Sequence, residues 1–426
     1  MLQTLRNAWK VPELRSRILW TLFFVAVFRL GHHIPVPGIN TDVVSQYTNQ
    51  SGSLLSFYDL ISGGALSNFS IFALGVVPYI NSSIIMQLLT IAVPQLEQLS
   101  KEGEEGRRKI QNITRYAAIG IGFIQAYASY IIIQNAGALE QESMLTLGTI
   151  LITLVAASTF LMWLGDQISV KGLGNGVSML IFVNIISQMP TLAFNIISYV
   201  RNGEAKILEA IVLVVFILAL LLFAIVMNQS ERKISVHYAG KAVGSKIYKG
   251  QTTHIPIGLI SSAVIAVIFA MSVMQFPTTI AQFFPGSWFD KVIANGAYSP
   301  FKTNTFLYIL LYAILTLFFN WFYAQITFKP EEMAENMNKS AGFIPGIKPG
   351  KATAKYIEKI IDRISIIGGI AAVVIAISPI LIDTLSPFQN LAFGGTSLLI
   401  TIGFALDVVK QLESQLVMRH YQGFLK

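Results

Sequence analysis

The 426-residue chain has no cysteine, which excludes disulfides, thiolate zinc sites and a cysteine nucleophile. It is also poor in charge. Asp, Glu, Lys and Arg make up 12% of it, about half of the roughly 25% found in soluble domains. With 54% hydrophobic residues and a mean hydropathy of +0.61, the chain has too little charge to cover a water-facing surface. Catalytic signatures are missing as well: there is no HExxH, no G-x-S-x-G and no P-loop. Lys171-Gly-Leu-Gly-Asn-Gly176 imitates a phosphate loop, but no strand precedes it and an apolar helix follows, so it reads as a turn and helix start. His32-His33 has no third ligand at metal spacing. The expectation is a non-enzymatic integral membrane protein without metal or cofactor.

What the chain has in abundance is long apolar runs. A helix crossing a ~30 Å hydrocarbon layer needs about 20 mostly apolar residues. Ten stretches qualify, near 17–36, 70–93, 114–134, 144–165, 177–200, 207–228, 255–276, 304–328, 362–385 and 390–410. Runs such as Ile207–Met227 lack the alternation of a β-barrel strand, so the spans are helical. Twenty-five Lys and Arg fall in one alternating set of connections and only four in the other. That bias predicts both termini and the larger basic loops on the cytoplasmic side. The formal charge of +8 is therefore an average over a polarised molecule. The predicted cytoplasmic segments carry a net +11 and the outer ones −4, with Arg29 in the first span supplying the remainder.

Several segments depart from plain spanning. Residues 57–69, with Gly63-Gly64 inside, are too short and polar to cross, and read either as an outer loop on the headgroups or as a movable re-entrant element. Asn81, Ser82, Ser83 and Gln87 are costly facing lipid. They serve either as contacts between helices or as the lining of a polar space. Apart from Arg29 and the interface-level Asp407, the span interiors lack ionisable residues. That disfavours an ion-coupled small-molecule transporter, the main alternative reading. Two basic loops, 229–254 and 329–360, are long, and turn residues from Gly342 to Gly350 give the second a shaped tip. Such loops suit an acidic protein surface or nucleic-acid phosphates.

Seven motifs in order carry a resemblance over essentially the whole chain: Ile34-Pro-Val-Pro-Gly38; Ser62-Gly-Gly-Ala-Leu66 leading to Phe72-Ala-Leu-Gly75 and Pro78-Tyr-Ile80; Glu102-Gly-Glu-Glu-Gly-Arg-Arg-Lys109; Trp163-Leu-Gly-Asp166 with Gly174-Asn-Gly176; Thr253-His-Ile-Pro256; Phe343-Ile-Pro-Gly-Ile-Lys-Pro-Gly350; and Phe393-Gly-Gly-Thr-Ser-Leu-Leu-Ile400. On these the chain resembles the SecY family, the central subunits of the bacterial protein-conducting channel. The resemblance implies an all-α polytopic protein of ten transmembrane helices in two inverted five-helix halves, a clamshell around an hourglass pore. The halves are 1–200 and 207–410, followed by a cytoplasmic tail, 411–426.

It further implies a short plug helix near 57–68, with Phe57, Ile61, Gly63, Gly64, Leu66 and Asn68. A pore ring of Ile80, Ile84, Ile181, Ile185, Ile268 and Ile400 is implied, and the i, i+4 spacing of two of its pairs puts each pair on one helix face. A lateral gate is implied between the second and third spans and the seventh and eighth, with Asn81, Gln87, Gln125, Ser261 and Ser262 as its polar members. Arg232, Lys233, Lys241, Lys246, Lys249, Lys348 and Lys351 would dock the SecA ATPase or a ribosome, including ribosomal RNA. The remaining implied partners are SecE and SecG, signal sequences, unfolded preproteins and lipid of the bacterial plasma membrane. Two departures from the family pattern stand out: Ile260 replaces the usual gate Asn, and Lys348 replaces an Arg at the loop tip.

Overall fold

A computed structural model describes residues 6, 9–41, 43, 44, 63–65, 68–238, 242, 243, 246, 247, 252–260, 262–282, 284, 287, 288, 290–294, 296, 299–302, 305–388 and 395–423. Seven helices come first: α1 (Pro12–Gly31), α2 (Val77–Ala92), α3 (Pro94–Lys101), α4 (Glu104–Asn135), α5 (Met144–Lys171), α6 (Gly176–Arg201) and α7 (Ile207–Gln229). Short strands follow, β1 (Glu231–Tyr238), β2 (Ala242–Val243), β3 (Lys246–Ile247) and β4 (Thr252–Gly258). The chain continues through α8 (Ala263–Gln282), α9 (Phe306–Phe328), α10 (Pro330–Lys339), β5 (Gly342–Phe343), α11 (Lys351–Leu385) and α12 (Gly395–Gly423).

Among the described residues, eight helices are long and apolar enough to cross a membrane, or nine if α2 and α3 count as one broken span. The remaining expected span corresponds to α1, whose 20 residues include Glu13, Arg15, Arg17 and Arg29. The α2–α3 pair bends by 99°. The cause is local: Pro94 bars the helical conformation to the residue before it, and Val93 is extended at φ −108, ψ 112. Pro94 then occupies the first turn of α3, where its missing N–H costs no bond. Two expected boundaries shift. Residues 71–76 form turns ahead of α2, and 255–258 belong to β4, with the seventh span starting at Ala263. The last helix also runs without a break through the expected tail to Gly423.

The helices sort into two groups. In one, α4 packs on α2 and α5, and α5 on α6 and α1. In the other, α9 packs on α8 and α11, and α12 on α7 and α11. Outward faces are apolar: Ile207, Leu208, Ile211, Val212 and Val215 of α7 are all exposed, as a lipid-facing helix requires.

The two long basic loops are not separate. β1 lies between β4 and β5 in one antiparallel sheet, with Ile234 opposite Ile255 and His237 opposite Phe343. Alternation sets its two faces. Ile234 and Val236 point inward with Ile257 onto Met337, Ile344, Ile357 and Ile361, whereas Lys233 and Ser235 point out; Arg232 shares the inward register but is exposed near the strand's start.

The glycine motif at 174–176 has a packing explanation. Gly176 starts α6 against the backbone of Gly165 in α5, where a Cβ would collide with the Gly165 carbonyl. Asn175 caps the helix, accepting from the Ser178 N–H at 3.1 Å.

Candidate functional site

The six isoleucines come from four helices, α2, α6, α8 and α12, and meet where two hydrophobic clusters join. Ile181, Ile185 and Ile400 belong to the cluster around Leu161, Leu164 and Leu180. Ile84 belongs to the cluster around Ala266, Phe269 and Tyr312. Ile80 and Ile268 pack against both. Four of the six are buried, with 9% exposure at most, and Ile80 and Ile268 are half-buried. β-Branching leaves these side chains few rotamers, so their junction is stiff and offers no hydrogen-bonding group.

Of the expected plug residues, Phe57, Ile61 and Leu66 lie outside the described residues. Gly63 and Gly64 are both left-handed, at φ 72 and 85, which non-glycine residues adopt only under strain. Their turn lies against α6, and Ala65 is fully buried in the cluster that holds Ile181, Ile185 and Ile400. Asn68 closes the turn by donating its N–H to the Gly64 carbonyl at 3.4 Å. An antiparallel bridge between Pro35 and Ser70 anchors the following chain beside the end of α1.

Two seams join the helix groups. Along one, α6 packs on α12 and α7. Ile196, Leu213, Leu220, Ile382, Phe388 and Leu398 are buried together there, and the rings of Phe182 and Phe404 lie 5.1 Å apart. The Gly174 N–H donates to Gln411 Oε1 at 2.7 Å.

Along the other seam, α2 and α4 face α8. Ser272 Oγ donates to Asn81 Oδ1 at 3.1 Å, joining the two groups. Towards the sheet the seam opens into a cavity of about 1810 Å³. Gln87, Leu88 and Ile91 line one wall, Phe269, Tyr323 and Gln325 the other, and Glu97, Lys101, Lys329 and Glu332 stand at its rim. The Lys101 ammonium, 2.6 Å from Glu97, holds that carboxyl below its ordinary pKa.

The expected gate residues separate. Asn81 sits on the seam and Gln87 on the cavity wall. Gln125 is half-buried on α4, outside the cavity lining. Ser261 lies outside the described residues. Ser262 is placed elsewhere: its hydroxyl reaches Asn320 Oδ1 at 3.2 Å, and Asn320 Nδ2 donates to the Ser365 carbonyl at 2.7 Å. That network ties α8, α9 and α11 within one group. The reason is geometric, since Ser262 precedes α8 and is turned towards α9. Ile260, in place of the family's gate Asn, is buried in the same group's core. Ser272 is the seam residue that sequence reasoning missed. It stands one helical turn, i+4, from Ile268 on the face that carries the ring, a spacing that would have found it.

Arg232 and Lys233 are exposed near the start of β1, Lys233 on its outer face, and Lys348 and Lys351 are exposed beyond β5. The tip around Lys348 is shaped from beneath. Ile344 is buried, Ile347 packs on the same cluster, and Thr353 Oγ1 donates to the Lys348 carbonyl at 2.9 Å. Lys246 belongs to β3, and Lys241 and Lys249 lie outside the described residues. Among the described residues no group of three or more His, Asp or Glu could hold a metal ion.

Comparison with known proteins decides the family. The SecY family model matches residues 70–409. The chain belongs to the SecY family. It is 41% identical to the protein translocase subunit SecY of Halalkalibacterium halodurans, over all of both chains. It is 38% identical to the corresponding SecY subunit of Thermotoga maritima, over all of this chain and 98% of the other. A solved structure described as a protein conducting channel shares the fold at a TM-score of 0.65 and 17% identity, covering 94% of this chain and 92% of the other. The SecY fold accounts for the two facing helix groups and for a multi-pass membrane protein.

Proposed function

We propose that this SecY-family chain is a gated polypeptide channel in which the isoleucine junction is the constriction. The observation that carries this reading is the meeting of six isoleucines from four helices, with the cavity on the sheet side and the Gly63–Ala65 turn on the other. An apolar, stiff collar excludes water and ions at rest by dewetting, and it gives an unfolded chain nothing to adhere to. The segment around 57–68 acts as a plug over the collar. The α2/α8 seam, held by Asn81 and Ser272, opens towards lipid so that signal sequences and transmembrane segments leave sideways.

The basic loops face the cytoplasm of a bacterial cell, as do both termini. The sheet and the Lys348 tip, exposed and positive, receive SecA or a ribosome, which supplies the energy. SecE and SecG complete the assembly. Lys keeps the charge at the tip but lacks the planar fork of Arg, so docking there relies on point-charge attraction. The test is resting ion conductance in planar bilayers. Replacing the six isoleucines by glycine is expected to raise it at least tenfold, and a parental value would overturn the constriction.

A further inference from the structure

Arg29 lies within the first expected span, where an unneeded guanidinium is costly, and its partners lead to one place. Its Nη1 donates to Ser187 Oγ at 3.0 Å, and Ser187 Oγ donates to the Asn184 carbonyl at 2.6 Å. Asn184 is 2% exposed, and its side-chain amide faces the Gly63–Gly64 turn. A Cβ on Gly63 would lie 2.5 Å from Asn184 Oδ1, and one on Gly64 would lie 3.8 Å from Gln188 Nε2. Two consecutive left-handed glycines therefore bring bare backbone flush onto two amide side chains. Ile181, Asn184, Ile185 and Gln188 follow the i, i+3, i+4, i+7 spacing of one helical stripe. Along the stripe each collar isoleucine is followed three residues on by an amide, Asn184 after Ile181 and Gln188 after Ile185.

We propose that Asn184 and Gln188 form a polar seat on α6 that holds the Gly63–Gly64 turn over the isoleucine junction, with Arg29 and Ser187 as positioning residues that fix the helix beneath it. This rests on the channel reading above and adds what retains the plug. The seat recognises peptide groups through side-chain amides. Amide-to-peptide bonds formed away from water are strong enough to retain a segment, yet each is modest in net terms, so the turn can leave when a substrate enters.

The experiment uses the full chain with its partner subunits. Because the chain has no native cysteine, introduced thiols report cleanly. Asn184→Ala with Gln188→Ala is measured for resting conductance in planar bilayers, beside an Ile181→Gly, Ile185→Gly collar variant. In parallel, an Ala65→Cys, Ile185→Cys pair is oxidised in the parental and the seat-variant background. The seat variant is expected to raise resting conductance about three- to tenfold, the shift that loss of one or two such bonds produces, and to lower the disulfide yield by a similar factor. Gly63→Ala should reproduce both effects and add little to them.

Parental conductance and parental yield in the seat variant, beside a leaking collar variant, would overturn the seat and leave the channel reading intact. If the collar variant does not leak either, the constriction itself fails and the disulfide yield alone judges the seat. A lowered yield upholds it, and an unchanged yield overturns it.

Discussion

The two seams between the helix groups are built differently. The α6 seam with α12 and α7 is filled along its length, from the Tyr199–Phe388 contact at one end, through Phe182 and Phe404, to the Leu14, Leu173 and Leu412 cluster at the other. Among the described residues the α2/α8 seam carries the Asn81–Ser272 bond and the packing of Ile84 against the α8 cluster, and then divides around a cavity of about 1810 Å³. Close-packed apolar contacts along a whole seam resist separation at every point, whereas a short packed stretch around Ile84 and one hydrogen bond beside an open cleft resist it less. This contrast supports the proposed reading of the pair as a hinge and a gate, with the isoleucine junction between them.

The largest test of this difference is to lock each seam in turn. An Asn81→Cys, Ser272→Cys pair bridged by a short thiol cross-linker is expected to abolish export of a secretory protein, with recovery on cleavage of the linker. A Phe182→Cys, Phe404→Cys pair treated alike is expected to leave most export intact. Next comes stability. Phe388→Ala empties a side chain that is 1% exposed and should cost about 3–5 kcal/mol, read as a lowered thermal unfolding midpoint in detergent.

Smaller is the effect of charge at the proposed docking tip, which belongs to the group bordering the cleft. Lys348→Glu should reduce SecA-driven export on the order of two- to fivefold, the equivalent of about 0.5–1 kcal/mol for an exposed charge pair, without changing membrane insertion of the chain itself. Smallest is Ser272→Ala. Removing one interhelical polar bond in a membrane is worth about 0.6 kcal/mol, roughly threefold in the gate equilibrium. It should appear as modestly increased export of proteins with weakened signal sequences.

Much of the fold was legible because lipid imposes simple rules. Apolar runs and the one-sided placement of Lys and Arg located the helices, and the family resemblance supplied the six isoleucines, whose i, i+4 pairs Ile80/Ile84 and Ile181/Ile185 each fall on one helix face. What escaped depends on contacts distant in sequence. Nothing local in 231–258 announces that β1 will pair with Gly342–Phe343, just over a hundred residues on. Ser262 and Ser272 are the same residue type ten positions apart, yet one turns to Asn320 and the other to Asn81. The i+4 spacing from Ile268 sets Ser272 apart, but only the packing of α8 supplies the partner of each. The break at Pro94, by contrast, was readable in principle, since the residue before a proline avoids the helical conformation.

The most direct test of the hinge-and-gate account is a pair of distances measured by pulsed electron paramagnetic resonance in the cysteine-free chain. One pair of spin labels, at Leu88 and Gln325, spans the cavity between the groups, and the other, at Tyr199 and Pro387, spans the filled seam. When a signal sequence engages the channel, the account predicts that the first distance lengthens while the second holds. Equal lengthening of both, or lengthening of the second alone, would contradict it.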